Sequence, residues 1–252
     1  MERREFLERF VFVRKCGGCG EILPYERSQE AFCVECAHEW HKAKAENCPE
    51  CLRVVTECTC APRGLRGVHS LKKLMFYHPK KHKEPQNKII YLLKHRPNRR
   101  ISAFVAKELA PSIRASLTEC GVSEPMEDVL IISVPRGRRS KTLYGFDQSE
   151  LICKELATYM GLTYVSAIVR ARGGREQKGL AREKRFGNVK GAFSLRKGVE
   201  LSGKYLVLFD DIVTTGASMS GCVPMLQKAG AKEILAFCIA QDQPKQKKST
   251  ER

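Results

Sequence analysis

The chain has no uncharged apolar run approaching the ~20 residues that cross a bilayer. Met1-Glu2-Arg3-Arg4-Glu5-Phe6-Leu7-Glu8 mixes charges with apolar residues, so no secretory leader is expected. A cytoplasmic protein without a membrane span is the expectation. Its cysteines should then be reduced or metal-bound, not paired in disulfides. Acidic residues are scarce: 28 Asp and Glu face 45 Lys and Arg, a formal net charge of +17. Such an excess implies a polyanionic partner, several phosphates, or both. The length of 252 residues accommodates one substantial domain and a small one.

The head of the chain lacks enough large apolar side chains for a core of its own. It carries instead eight of the twelve cysteines, as Cys16-x-x-Cys19, Cys33-x-x-Cys36, Cys48-x-x-Cys51 and Cys58-x-Cys60. Two intervening residues let both sulfurs meet one tetrahedral ion, and two such knuckles close a four-sulfur site. The expectation is two Zn²⁺ sites whose binding energy folds the segment. Sequential pairing puts Cys16, Cys19, Cys33 and Cys36 on one ion and Cys48, Cys51, Cys58 and Cys60 on the other. The spacing also admits interleaved pairing, His38 or His41 as substitute ligands, and an unfilled second site, since Cys58-x-Cys60 is tighter than a usual knuckle. Cys120, Cys153, Cys222 and Cys238 are scattered and read as core residues.

Four segments follow from composition: a double zinc-ribbon-like head over 1–62, a basic connector over 63–100, an α/β domain over 101–242 and a basic tail over 243–252. The connector interleaves many lysines and arginines with Phe76, Tyr77 and Tyr91. It reads either as a surface for single-stranded nucleic acid or as a solvated linker with its aromatics in the core. Helices are expected over 86–95 and after an Asn98 cap, the latter with Ile101, Phe104, Val105 and Leu109 on one face.

In the α/β domain, strands are expected at 129–134, 164–169, 205–209 and 234–239, with helices at 149–159 and 220–228. The alternation implies a parallel sheet, whose ligands bind at the carboxyl ends of the strands. Val207-Leu208-Phe209 runs into Asp210-Asp211, then Thr214-Thr215-Gly216-Ala217-Ser218 and a helical run. A strand, a tight loop and a helix start present free N–H groups and a positive helix end, which suit a phosphate. The carboxylates suit a diol or a divalent cation. Pro135-Arg136-Gly137-Arg138-Arg139 follows another strand, its arginines able to grip phosphate oxygens. The glycine-containing basic stretch 170–188 reads as a loop that closes over the site, or as a passive one.

The 207–218 pattern resembles the 5-phosphoribosyl-1-pyrophosphate (PRPP) signature of type I phosphoribosyltransferases. The resemblance implies that Asp210 and Asp211 hold ribose hydroxyls, and that Thr214, Thr215, Gly216, Ala217 and Ser218 cradle the 5′-phosphate. It implies that Arg136, Gly137, Arg138 and Arg139 bind pyrophosphate, with Mg²⁺ accompanying it. A flexible hood would carry Arg175, Gln177, Arg185 and Asn188.

Together with the cysteine head, Leu92-Leu93-Lys94-His95-Arg96, Gly145-Phe146-Asp147-Gln148 and Gly191-Ala192-Phe193, the chain resembles the ComF/GntX family over nearly its whole length. That family joins a zinc-binding module to a phosphoribosyltransferase-type domain. The resemblance implies a PRPP-binding protein that handles single-stranded DNA in natural transformation, with DNA-uptake proteins as partners. The alternative is an active transferase of nucleotide or nucleobase metabolism with an unknown acceptor. Two departures bear on this. The family commonly has Arg-Gly-Phe-Asn-Gln where this chain has Tyr144-Gly145-Phe146-Asp147-Gln148. Purine-salvage transferases often have an aspartate where this chain has Thr214, and threonine is no base at neutral pH. No other general base is identifiable in the sequence.

Overall fold

The computed structural model describes residues 9, 11, 13–68, 70–78, 84–95, 97–136, 143, 145–170 and 192–243. Among them, five parallel strands form one sheet in the order β1 (Leu71–Tyr77), β7 (Glu233–Asp242), β6 (Tyr205–Val213), β2 (Val129–Ser133), β3 (Thr163–Tyr164). Apolar runs such as Val129-Leu130-Ile131-Ile132 are buried on both faces, as a parallel sheet covered on both sides requires.

Alternation along the strands divides the core. On one side Ile131, Val207, Phe209 and Phe237 meet α3 (Arg99–Glu119) and α4 (Gln148–Met160). On the other, Leu206, Leu208, Ala236 and Cys238 meet α5 (Ala217–Lys228). Asn98 caps α3, its side chain accepting from the Ile101 N–H at 3.2 Å.

The parallel α/β architecture expected from the sequence is present, with three differences. β6 continues past Phe209, because Asp210, Ile212 and Val213 keep pairing with Cys238, Ala240 and Gln241 of β7. The stretch 164–169 divides: β3 joins the sheet, whereas β4 (Ile168–Arg170) leaves it to pair antiparallel with β5 (Phe193–Leu195). Finally, the basic connector supplies the edge strand β1, which runs parallel to β7, ahead of the expected helix, α2 (Pro85–His95). Phe76 of that connector is buried in the core, whereas Tyr91 is exposed and stacks on His95 at 4.0 Å.

The head packs on α3. Its helix α1 (Val34–Lys44) places Trp40 against Phe32 and Phe104, with ring centroids 5.2–5.4 Å apart. The fully buried Trp40 donates from its indole N–H to Glu108 at 2.8 Å, and Lys44 pairs with the same carboxylate oxygen at 2.7 Å. Trp40, Phe32 and Leu23 therefore belong to the same core as the sheet face above α3. Trp40→Phe is expected to reduce unfolding free energy by about 1–3 kcal/mol, measured by denaturant titration, since Glu108 loses a donor in a partly buried setting.

Candidate functional site

The last residues of β6 carry the acidic pair. Successive strand side chains point to opposite faces, so Asp210 and Asp211 divide between the two sides of the sheet. Asp211 lies on the α4 side. It accepts from the Gln148 side-chain amide and stands 3.8 Å from the Lys94 ammonium. Its other oxygen accepts from the Ile212 N–H at 2.8 Å. Asp210 lies on the α5 side and accepts from the Asp211 N–H at 3.0 Å. Burial, reinforced by the neighbouring Asp211 charge, pushes the Asp210 carboxyl well above the usual carboxylate range.

Asp210 also lines a small hollow of about 40 Å³, with Thr214, Thr215, Gly216, Ala217 and Ser218 completing the wall. Gly216 sits at the N-cap of α5 in the left-handed region, φ 76°, with no side-chain cap. The first turn of α5 contains no acid, and of its N–H groups Ala217 donates to the Thr215 hydroxyl at a long 3.4 Å, so the helix start and its positive dipole end suit an anion. Glycine is required here for a second reason. A Cβ at Gly216 would lie 2.7–2.9 Å from the Cβ, Cα and N of Leu65, which packs against the turn. Ser220 fastens the same segment, donating to the Gly64 carbonyl at 2.6 Å and accepting from the Arg66 N–H at 2.8 Å.

Asp147 joins the Arg136 loop to this site. It caps α4, accepting from the Ser149 and Glu150 N–H groups, and also accepts from the Arg136 N–H at 3.0 Å. The Asp147 carboxylate is thus buried and surrounded by donors. The Arg136 guanidinium reaches the Lys94 carbonyl at 3.2 Å. Gly137, Arg138 and Arg139 lie outside the described residues, as do Tyr144 and the hood positions Arg175, Gln177, Arg185 and Asn188.

The head brings the cysteines together sequentially. Cys16, Cys19, Cys33 and Cys36 form one cluster and Cys48, Cys51, Cys58 and Cys60 another, with all sulfurs of a cluster within 4.8 Å of one another. His38 and His41 join neither. Four thiolates around a tetrahedral ion stand about 3.8 Å apart, as follows from a metal–sulfur bond of ~2.3 Å. Cys19 and Cys33 are separated by 3.8 Å. Backbone N–H groups aim at the sulfurs, from Gly18 and Cys33 to Cys16 and from Cys60 to Cys58. Against the upward push of burial, such donors bring the Cys16 thiol down to about 7. The Arg53 N–H leads in bringing Cys51 to about 7, whereas burial and crowding raise Cys36 and Cys60. Four crowded thiols ionise together only around a cation, so each cluster could hold a metal ion such as zinc.

A groove of about 750 Å³ lies between the head and α3. Arg14, Arg99, Arg100 and Lys107 line it with Phe32 and Phe104. One terminal nitrogen of Arg100 is buried without a hydrogen-bond partner, while the other donates to the Lys15 carbonyl at 2.6 Å. Sequence patterns gave no sign of this groove, which unites distant segments. They also assigned no task to Gln148, Lys94 or Leu65. Gln148 and Lys94 lie within stretches that carried the ComF/GntX resemblance, but only the folded contacts show what they touch.

No family model matches the chain. DNA utilization protein YhgH of Salmonella typhi is 31% identical over 156 residues, which span 62% of this chain and 66% of that protein. Competence protein F of Haemophilus influenzae is 30% identical over 44% of this chain and 49% of its own length. Competence protein ComFC of Streptococcus pneumoniae is 22% identical over 89% of this chain and 99% of its own length. Among solved structures, hypoxanthine phosphoribosyltransferase from Trypanosoma cruzi shares 15% identity, with a TM-score of 0.39, over 57% of this chain and 64% of that one.

The raised affinity of Asp210 for its proton makes stability depend on pH. A carboxyl whose folded pKa exceeds its unfolded one stabilises the fold below the unfolded value of ~3.9, and that contribution is lost as pH rises toward the folded value. Asp210→Asn is therefore expected to raise the thermal midpoint at pH 7.5 and to change it much less at pH 4, as read by calorimetry in ligand-free protein.

Proposed function

We propose that this chain, a homologue of the ComF/GntX-type proteins named for competence and DNA utilization, binds PRPP with Mg²⁺ and handles single-stranded DNA in the cytoplasm. The observation that carries the ligand reading is the uncapped start of α5 beside the β6 carboxylates. Thr214, Thr215, Gly216, Ala217 and Ser218 would hold the 5′-phosphate through N–H and hydroxyl groups. Asp210 and Asp211 would accept from the ribose hydroxyls, with Gln148 and Lys94 orienting Asp211. Arg136, Gly137, Arg138 and Arg139 would neutralise pyrophosphate, and Mg²⁺, when bound, would add positive charge there. The hood residues Arg175, Gln177, Arg185 and Asn188 would cover it. Zn²⁺ would fill both four-cysteine clusters and stabilise the head.

The groove supports the nucleic-acid part of the proposal. Arg14 and Lys107 suit a phosphate backbone, although Glu30 and Glu155 also line the groove and Glu155 pairs with Arg99 at 2.7 Å, and Phe104 offers a surface for a base. DNA-uptake proteins would be the partners in natural transformation, as the relatives' names suggest. An active phosphoribosyltransferase with an unknown acceptor is the second reading, favoured by the β6–α5 arrangement. Apart from the carboxylates assigned to the ribose, no general base appears beside it among the described residues, and Thr214 cannot serve as one.

Calorimetry with PRPP and Mg²⁺ should show binding by the wild type and at least a tenfold loss in Asp210→Asn/Asp211→Asn. Absence of wild-type binding removes the ligand reading. Pyrophosphate release with any member of a nucleobase panel would favour the second reading. For DNA, Arg14→Ala/Lys107→Ala should weaken single-strand binding and flatten its salt dependence, by about 0.7 in log–log slope for each phosphate no longer neutralised. Unchanged affinity and slope would place the DNA elsewhere.

A further inference from the structure

The second cysteine cluster and the α5 turn are joined by one loop. Between Cys58 and Leu71 the chain leaves the cluster, passes the turn and returns to the sheet as β1. At its base the Leu71 N–H donates to the Thr59 carbonyl at 3.3 Å. Lys73, only 2% exposed, closes the same base. Its ammonium donates to the carbonyls of Cys60 at 2.7 Å and of Cys58 and Leu71 at 3.3 Å. At its tip, Leu65 packs on Gly216, Gly64 and Arg66 bond to Ser220, and the Gly67 carbonyl accepts from Gln227 at 3.3 Å. A Cβ at Gly67 would meet Val223 at 2.6 Å, so the tip lies directly on α5.

The base contains an uncompensated charge. Among the described residues, no carboxylate pairs with Lys73, whose partners are three carbonyls and the nearby Phe76 ring. A buried ammonium with neutral partners alone is costly. The neighbouring cluster supplies the missing charge when filled, because a divalent ion with four thiolates carries a net charge of −2. The apolar surroundings shared by Cys48, Cys58, Val55 and Phe76 strengthen that attraction.

We infer that Lys73 is the outer-sphere counter-charge of the second metal site, and that this site, through the 58–71 loop, positions the anion-binding turn at Gly216. Metal held by Cys48, Cys51, Cys58 and Cys60 fixes the base of the loop, and the fixed loop supports the turn from behind. The inference rests on the readings that the cluster holds a divalent ion and that the turn binds phosphate. Lys73 is a positioning residue with no direct contact to either ligand.

The test uses the full zinc-loaded chain and two variants that retain every cysteine. Lys73→Met should lose one of two zinc ions to a chelator about 10–100-fold faster, the range typical of outer-sphere changes at metal sites. Hydrogen exchange should accelerate at least tenfold at residues 62–68 and 214–218, and PRPP binding should weaken in parallel. Lys73→Arg, which keeps the charge, should restore much of the zinc retention. Wild-type zinc loss and wild-type exchange in Lys73→Met would overturn the inference. Faster zinc loss with unchanged exchange at 214–218 would overturn the coupling to the turn. If the wild type binds no PRPP, the ligand reading falls, while the zinc and exchange measurements still decide the positioning role.

Discussion

The pairing of β6 with β7 is the constraint on which the site depends. Because it continues from Tyr205 through Val213, the two carboxylates are fixed on a rigid strand and not in a mobile loop. That rigidity separates Asp210 from Asp211 by face, giving each its own surroundings. Asp211 faces an amide and an ammonium, and Asp210 faces the α5 turn. Groups of opposite preference can thus occupy adjacent positions. Burying a carboxyl such as Asp210 opposes folding at neutral pH, as local cost at a binding site often does.

The head meets a different constraint. It is too small and too polar to close a core, so it borrows one. Trp40 and Phe32 complete the core above α3, while Phe76 of β1 completes the small core around Cys48 and Cys58. The two cysteine clusters therefore differ in what they touch. The first adjoins α3 and the basic groove, and the second adjoins the sheet edge and the loop behind α5. An ion at either would influence a different part of the molecule.

The sheet was legible where the sequence obeyed one rule at a time. Val129-Leu130-Ile131-Ile132 and Tyr205-Leu206-Val207-Leu208-Phe209 are apolar runs that a buried parallel strand requires, and the cysteine spacing announced metal knuckles. β1 was hidden because Lys72 and Lys73 lie within a basic stretch, and a buried lysine contradicts the pattern that identifies a strand. The end of β6 was set too early because Asp210 and Asp211 resemble a loop, whereas pairing with β7 carries the strand through them. The groove was illegible for another reason. Arg14 and Lys107 meet only through the docking of the head on α3, which no local pattern encodes.

The edge strand also imposes an order in time. β1 is made well before its partner β7, since Leu71 pairs with Ala236 across most of the chain. The loop that rests on α5 likewise awaits a helix more than half the chain away. Cysteine knuckles can form from local contacts as they emerge, and Trp40 can dock on α3, but β1 beside the second cluster stays unpaired until β7 is made. A head already held by α3 would thus wait for β7 to close the sheet edge beside its second cluster.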